Sequence, residues 1–297
     1  MTATLTPAAA PGRSKRRPVA GAVRRARGNP AQAVAVGVLL LWLIVILLAP
    51  LLAPHDPLDQ SAVPLEGASS AHWLGTDPAG RDVLSRVLYG ARLSVPVGLL
   101  LVTAAAVIGT LVGLVAGFFG GWVDEALMRV TDVVFAFPVI ILAMAVAASL
   151  GPSLPNAVLA GALVWWPGYA RTVRSTVLSL READFVHANR LAGVGSVRSI
   201  LVDLLPGVAG SLLVLAMLDV GGAILLLSGL SFLGLGARPP AAEWGSMISE
   251  ASQYFNQWWL AVVPGLAIVT VVVAFNVLGD ALRDRLDPKL STAGERS

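Results

Sequence analysis

The 297-residue chain contains no cysteine, so disulfide frameworks, thiolate catalysis and cysteine-based metal sites are excluded. Lysine is almost missing as well. Lys15 and Lys289 are the only two, and neither follows a glycine-rich loop, so no GxxxxGKS/T cradle for a nucleotide phosphate exists. The chain is therefore expected not to hydrolyse ATP by itself. Its three histidines, His55, His72 and His187, are too far apart for a HExxH zinc site, and no Gly-x-Ser-x-Gly nucleophile elbow occurs. Charged residues make up 13% and aromatic residues 6%, whereas soluble domains carry roughly a quarter charged residues.

What is present is apolar. Hydrophobic residues make up 56% of the chain, mostly Leu, Val, Ala and Ile, and the mean hydropathy is +0.76. This excludes a water-soluble globule and predicts an all-α polytopic membrane protein. The net charge of +3 comes from one place: seven of the 21 basic residues (Arg13, Lys15, Arg16, Arg17, Arg24, Arg25, Arg27) lie in the first thirty positions, without an acid among them. A basic arm beside a hydrophobic span is an orientation signal and an anionic-lipid contact, and no nucleic-acid partner is expected.

Six transmembrane helices are expected. Ala33–Ala53, Ser94–Phe119, Val133–Leu150, Pro155–Ala170 and Trp259–Gly279 are apolar runs, the fourth short and softened at its end by Trp165 and Trp166. The run from Leu204 to Gly236, broken only by Asp219, would make roughly 50 Å of helix at 1.5 Å per residue. That length predicts one crossing followed by a segment that folds back or lies at the interface. Lys and Arg number 17 on one side of these spans and 4 on the other, which predicts cytoplasmic N- and C-termini. The expected layout is a basic tail over 1–32, a first span over 33–53, an outer loop over 54–93, a five-helix core over 94–283 with an inner loop over 171–203, and a C-terminal tail over 284–297.

The outer loop contains an amphipathic segment in which Asp77-Pro78 starts a helix and Val83, Leu84, Val87, Leu88 and Ala91 oppose Arg81, Ser85 and Arg92. It is expected to lie on the outer surface. Gly109, Gly113, Gly117 and Gly121 form one side-chain-free face of the second helix, a packing seam within the subunit or with a partner. In the inner loop, Ser179-Leu-Arg-Glu182 reads as a capping box. Phe185, Ala188 and Leu191 make an apolar stripe ended by Gly193, and a second short amphipathic stretch runs from Ser196 toward Pro206. Such an elbow suits docking. Asp219 is the strictly intramembrane acid, with Asp132 near the inner end of the third helix. A functional role in the pathway and a helix-packing hydrogen bond are the two readings for Asp219.

Four segments carry a family resemblance: HWLGTDPAGRDVLSRVLYGARLS, READFVHANRLAGVGS, AILLLSGLSFLGLGARPPAAEWGSMI and FNVLGDALRDRLDPKL. In this order and spacing they resemble the C-type inner-membrane permease subunits of bacterial ABC importers for dipeptides, oligopeptides and nickel, from about Ala33 to Leu290. The resemblance implies a non-catalytic subunit of the bacterial plasma membrane that forms half of a translocation pathway for di- or oligopeptides. It also implies a homologous B-type permease, two ATP-binding subunits and an extracytoplasmic solute-binding protein as partners. No cofactor would be bound by this chain, ATP and Mg being held by the partner subunits. The family's ATPase-coupling pattern of Glu-Ala-Ala and a later Gly falls on His187, Ala188, Asn189 and Gly193, with Leu205 and Pro206 resembling its later Leu-Pro pair. His187 and Asn189 depart from that pattern, and Leu227 stands where a glutamate is common. Against this reading stands a secondary carrier or channel acting alone. A membrane-bound enzyme lacks any nucleophile-base or metal constellation.

Overall fold

In the computed structural model, residues 30–184, 189 and 195–286 are described. Phe185, His187, Ala188, Leu191 and Gly193 lie outside the described residues, as do residues 1–29 and 287–297 of the two tails. Among the described residues the architecture is all-helical, with one isolated β-bridge between Thr76 and Asp82. Helix α1 spans Pro30–Leu52 and carries no charge, as its sequence predicts. A loop over 53–82 leads into α2, Val83–Phe119.

Helix α2 corrects two expectations. The turn at Asp77-Pro78 does not start it; Asp82 does, its carboxylate accepting the backbone N–H of Ser85 at 2.8 Å. The amphipathic segment and the second span are one helix of 37 residues, about 55 Å long at 1.5 Å per residue. Its first turns do not lie on a surface. Val83, Ser85, Arg86, Val87 and Ala91 are all buried beneath later parts of the chain.

Gly120 (φ +67°) ends α2, and Gly121 (φ +56°) opens α3, Gly121–Phe135. The third expected span is not one straight helix. Pro138, which has no N–H to donate, caps α4, Val139–Leu150, and the two helices meet at 91°. Helix α5 then runs Leu154–Arg181, with Ser153 as its N-cap. It continues well past the expected end at Ala170, so Trp165 and Trp166 lie within it and residues 171–181 are helix rather than loop. Ser179-Leu-Arg-Glu182 accordingly starts nothing: Glu182 is the C-cap of α5.

Because Gly109 faces Tyr169, Gly113 faces Val173 and Gly117 faces Val177, α2 and α5 run parallel. The chain must return between them, and the bent pair α3/α4 makes that return. The seam formed by these three glycines lies inside the subunit. Gly121 is not part of it, for a Cβ there would meet nothing within 4 Å.

A short helix α6, Ser196–Ser199, and a π-helical turn, Ile200–Leu204, lead into α7, Leu205–Phe232. The expected fold-back after one crossing is absent. Pro206 sits in the first turn, where its missing N–H costs nothing, and no proline lies further in, so the helix continues to Phe232. Glu243 caps the short α8, Trp244–Ala251, and α9 runs Trp259–Leu286 beyond the expected Gly279. Helices α2, α5, α7 and α9 form the core, with α1 against α2 and α9. Residues 53–92 and 233–258 close one end, called here the capped end. Residues 182–184, 189 and 195–204 mark the other, the elbow end. Among the described residues, four helices (α1, α2, α7 with its π-helical lead-in, and α9) are long and apolar enough to cross a membrane, and the bent pair makes a fifth candidate. The protein is a multi-pass membrane protein.

Candidate functional site

The elbow end is built around Asp203. Its carboxylate accepts from Asn189 Nδ2 and Ser199 Oγ, both at 3.0 Å, which ties the described parts of the elbow into one polar knot. The adjacent Leu204 is fully buried in a separate apolar cluster with Leu114 and Phe118 of α2, Val173 and Val177 of α5, and Val208 of α7. Arg181 donates to the Gly117 carbonyl at 3.3 Å, and Arg174 grips Asp124 of α3 through two bonds of 2.5 and 2.6 Å. The described part of the elbow is thus packed against α2, α5 and α7 together. Leu201 and Val202 point the other way and are exposed, as are Glu182 and Pro206, while Leu205 is half-buried.

The capped end is held by charge. Arg81 Nε meets Asp77 at 2.6 Å and its Nη2 meets Glu250 at 3.0 Å; Arg86 Nε lies 3.2 Å from the same Asp77 oxygen. Both arginines are buried, so the cluster clamps the start of α2 to α8. Trp244, also fully buried, donates from Nε1 to the Val87 carbonyl at 3.0 Å and lies against Gly90. Beside it the Glu243 carboxylate accepts from the N–H groups of Gly245 and Ser246 and from the Ser94 hydroxyl. Burial pushes the Glu243 carboxyl above its ordinary range, and these hydrogen bonds only partly oppose the shift. The sequence reading missed Glu243 and the Asp77–Arg81–Arg86–Glu250 cluster. Glutamate is not among the favoured N-cap residues, so nothing in the local sequence marked the first as a cap. Nothing local pairs residues 77–86 with 250.

His55, His72 and Asp82 bring ligand-type atoms within 4.8 Å of one another. The cluster is accounted for by hydrogen bonds: His72 Nδ1 meets Asp82 at 3.0 Å and His55 Nε2 meets the Ala71 carbonyl at 2.9 Å.

Asp219 sits midway along α7 and lines a cleft of about 250 Å³ with Phe135, Trp165, Gly168, Thr172 and Leu215. The Tyr169 hydroxyl and the Trp165 indole face its carboxyl. Asp132 is remote in role: exposed at the end of α3, it pairs with Arg171 at 2.6 Å. The structure therefore separates the predicted residues into the elbow (Glu182, Asn189, Leu205, Pro206), the α2–α5 seam, and Asp219. Leu227 is buried in the core.

The profile of a family described as "Binding-protein-dependent transport system inner membrane component" matches residues 109–292. The dipeptide transport system permease protein DppC of Alkalihalophilus pseudofirmus is 42% identical over 273 residues, which cover 91% of this chain and 90% of that protein. The di/tripeptide transport system permease protein DppC of Pseudomonas aeruginosa is 44% identical over 270 residues, 87% of this chain and 89% of the relative. The glutathione transport system permease protein GsiD of Pectobacterium atrosepticum is 44% identical over 265 residues, 88% of each.

Proposed function

The chain belongs to the family of inner-membrane components of binding-protein-dependent transport systems, and from that premise we propose that it is the permease subunit of an ABC importer for di- or oligopeptides. The names of its relatives support the cargo, since dipeptides, tripeptides and glutathione are all short peptides. The subunit is non-catalytic and binds no cofactor; ATP and Mg belong to two ATP-binding partners. A homologous permease lines the other half of the pathway, and an extracytoplasmic binding protein delivers cargo to the capped end. The membrane is the bacterial plasma membrane, and the basic tail contacts lipid rather than nucleic acid.

Six crossings follow in this reading: α1, α2, the bent pair α3/α4, α5, α7 and α9. Both termini face the cytoplasm, which the 17-to-4 distribution of Lys and Arg supports. The single observation that carries the mechanism is the anchored elbow. Its exposed Leu201 and Val202 suit a groove on an ATPase, while Leu204 and the Asn189–Asp203–Ser199 knot pass the motion into α2, α5 and α7. Nucleotide must favour one arrangement of the bundle over the other by roughly 5.5 kcal/mol for a full 1:99 to 99:1 swing. Glu182, Phe185, His187, Ala188 and Gly193 complete the docking elbow.

The test uses the importer reconstituted in vesicles. Gly193→Pro, or a charge placed at Ala188, is expected to leave the subunit in the membrane while ATP hydrolysis no longer drives uptake. Unchanged transport would overturn the elbow assignment, and transport by the subunit alone, without copurifying ATPases, would overturn the importer itself.

A further inference from the structure

Asp219 is a carboxylate without a cation. None of the ion pairs among the described residues involves it. Arg171, the basic residue of α5 nearest in sequence to the cleft wall, is committed elsewhere: it pairs with Asp132 and lies 4.2 Å over the ring of Phe135. A lone acid inside a spanning helix is costly and persists where a cavity or a visiting charge compensates it. Here there is a cavity. Its volume of about 250 Å³ is room for about eight waters at ~30 Å³ each, enough for an ammonium group and the residue that bears it.

The walls suit the same chemistry. Trp165 and Phe135 both line the cleft, and the Trp165 ring packs over Gly222, a turn from Asp219, where an added Cβ would meet it at 3.1 Å. Any side chain larger than glycine at 222 would push that ring. Aromatic rings within about 6 Å of an ammonium stabilise it through their quadrupoles, the more so away from water.

We propose that this cleft is a mid-membrane station for the protonated amino terminus of a peptide, held by Asp219 and walled by Trp165 and Phe135. The inference rests on the importer reading, which supplies the amine-bearing cargo.

A photoreactive p-benzoylphenylalanine at Leu215, a turn from Asp219, tests it in the purified complete complex without binding protein. Radiolabelled alanyl-alanine is expected to be trapped about tenfold more than its N-acetyl form, with trapping lost in Asp219→Asn and retained in Asp219→Glu. Equal trapping of the two peptides, no trapping of either, or trapping unaffected by Asp219→Asn in a normally assembled complex would overturn the station. Should Asp219→Asn fail to assemble, the comparison of free and acetylated peptide with Asp219 intact decides alone. Selective trapping without ATP-driven uptake of alanyl-alanine in reconstituted vesicles would instead remove the importer reading and leave the amine station standing.

Discussion

At Gly113 a single added methyl would meet the Ala170 carbonyl oxygen at 2.5 Å and the Val173 Cβ at 2.7 Å, both on a helix that cannot retreat without opening the core. Gly113→Leu is expected to destabilise the subunit by about 1–3 kcal/mol or more through overpacking, read as a lower unfolding temperature in detergent. Gly121→Ala meets open space, and its cost of about 1–2 kcal/mol arises only from the left-handed backbone. Glu243 makes a pH prediction. The unfolded chain releases this proton near the ordinary 4.5, while the buried carboxyl keeps it to higher pH. Its contribution to stability is thus full below 4.5 and is lost as pH rises through the raised value. Unfolding temperatures measured across pH are expected to show this slope in the parent protein and a flatter one in Glu243→Gln.

The start of α2 depends as an element on charges supplied from α8. Asp77→Asn would leave two buried guanidinium groups sharing Glu250 alone. Removing one partner of a buried ion pair costs about 3–5 kcal/mol, so this variant should unfold well below the parent in a detergent melt. At the opposite end, Leu204→Ala empties the plug beneath the elbow, at about 2–5 kcal/mol by cavity formation. The expected functional result is fewer peptides imported per ATP hydrolysed, measured in vesicles; an unchanged ratio would show that the plug does not transmit the stroke. Helix periodicity and the lone Asp219 were legible in the sequence at this scale. The merging of the amphipathic segment with the second span was not, because an apolar stripe looks the same whether it rests on lipid or beneath α8. The capping-box pattern at Ser179 misled for a related reason: packing of Val173 and Val177 on the glycine seam carries α5 through a sequence that could have started a new helix.

For the whole molecule, the absence of cysteine makes orientation directly measurable. A single cysteine at exposed Ser61, at the capped end, is expected to react with a membrane-impermeant maleimide in intact cells, and one at exposed Ser196 only after permeabilisation. The opposite pattern would invert the topology. By itself the sequence determined that this is a helical, multi-pass membrane protein without a nucleotide cradle, because hydropathy and missing residue types are properties of the chain before it folds. Only the tertiary structure decided that three glycines of one stripe face α5 while the fourth faces nothing. It alone linked Asp77 to Glu250, 173 positions apart, through Arg81 and Arg86, and opened a cleft at Asp219. These depend on which helices become neighbours, and that follows from the sum of many small packing terms that no local pattern contains.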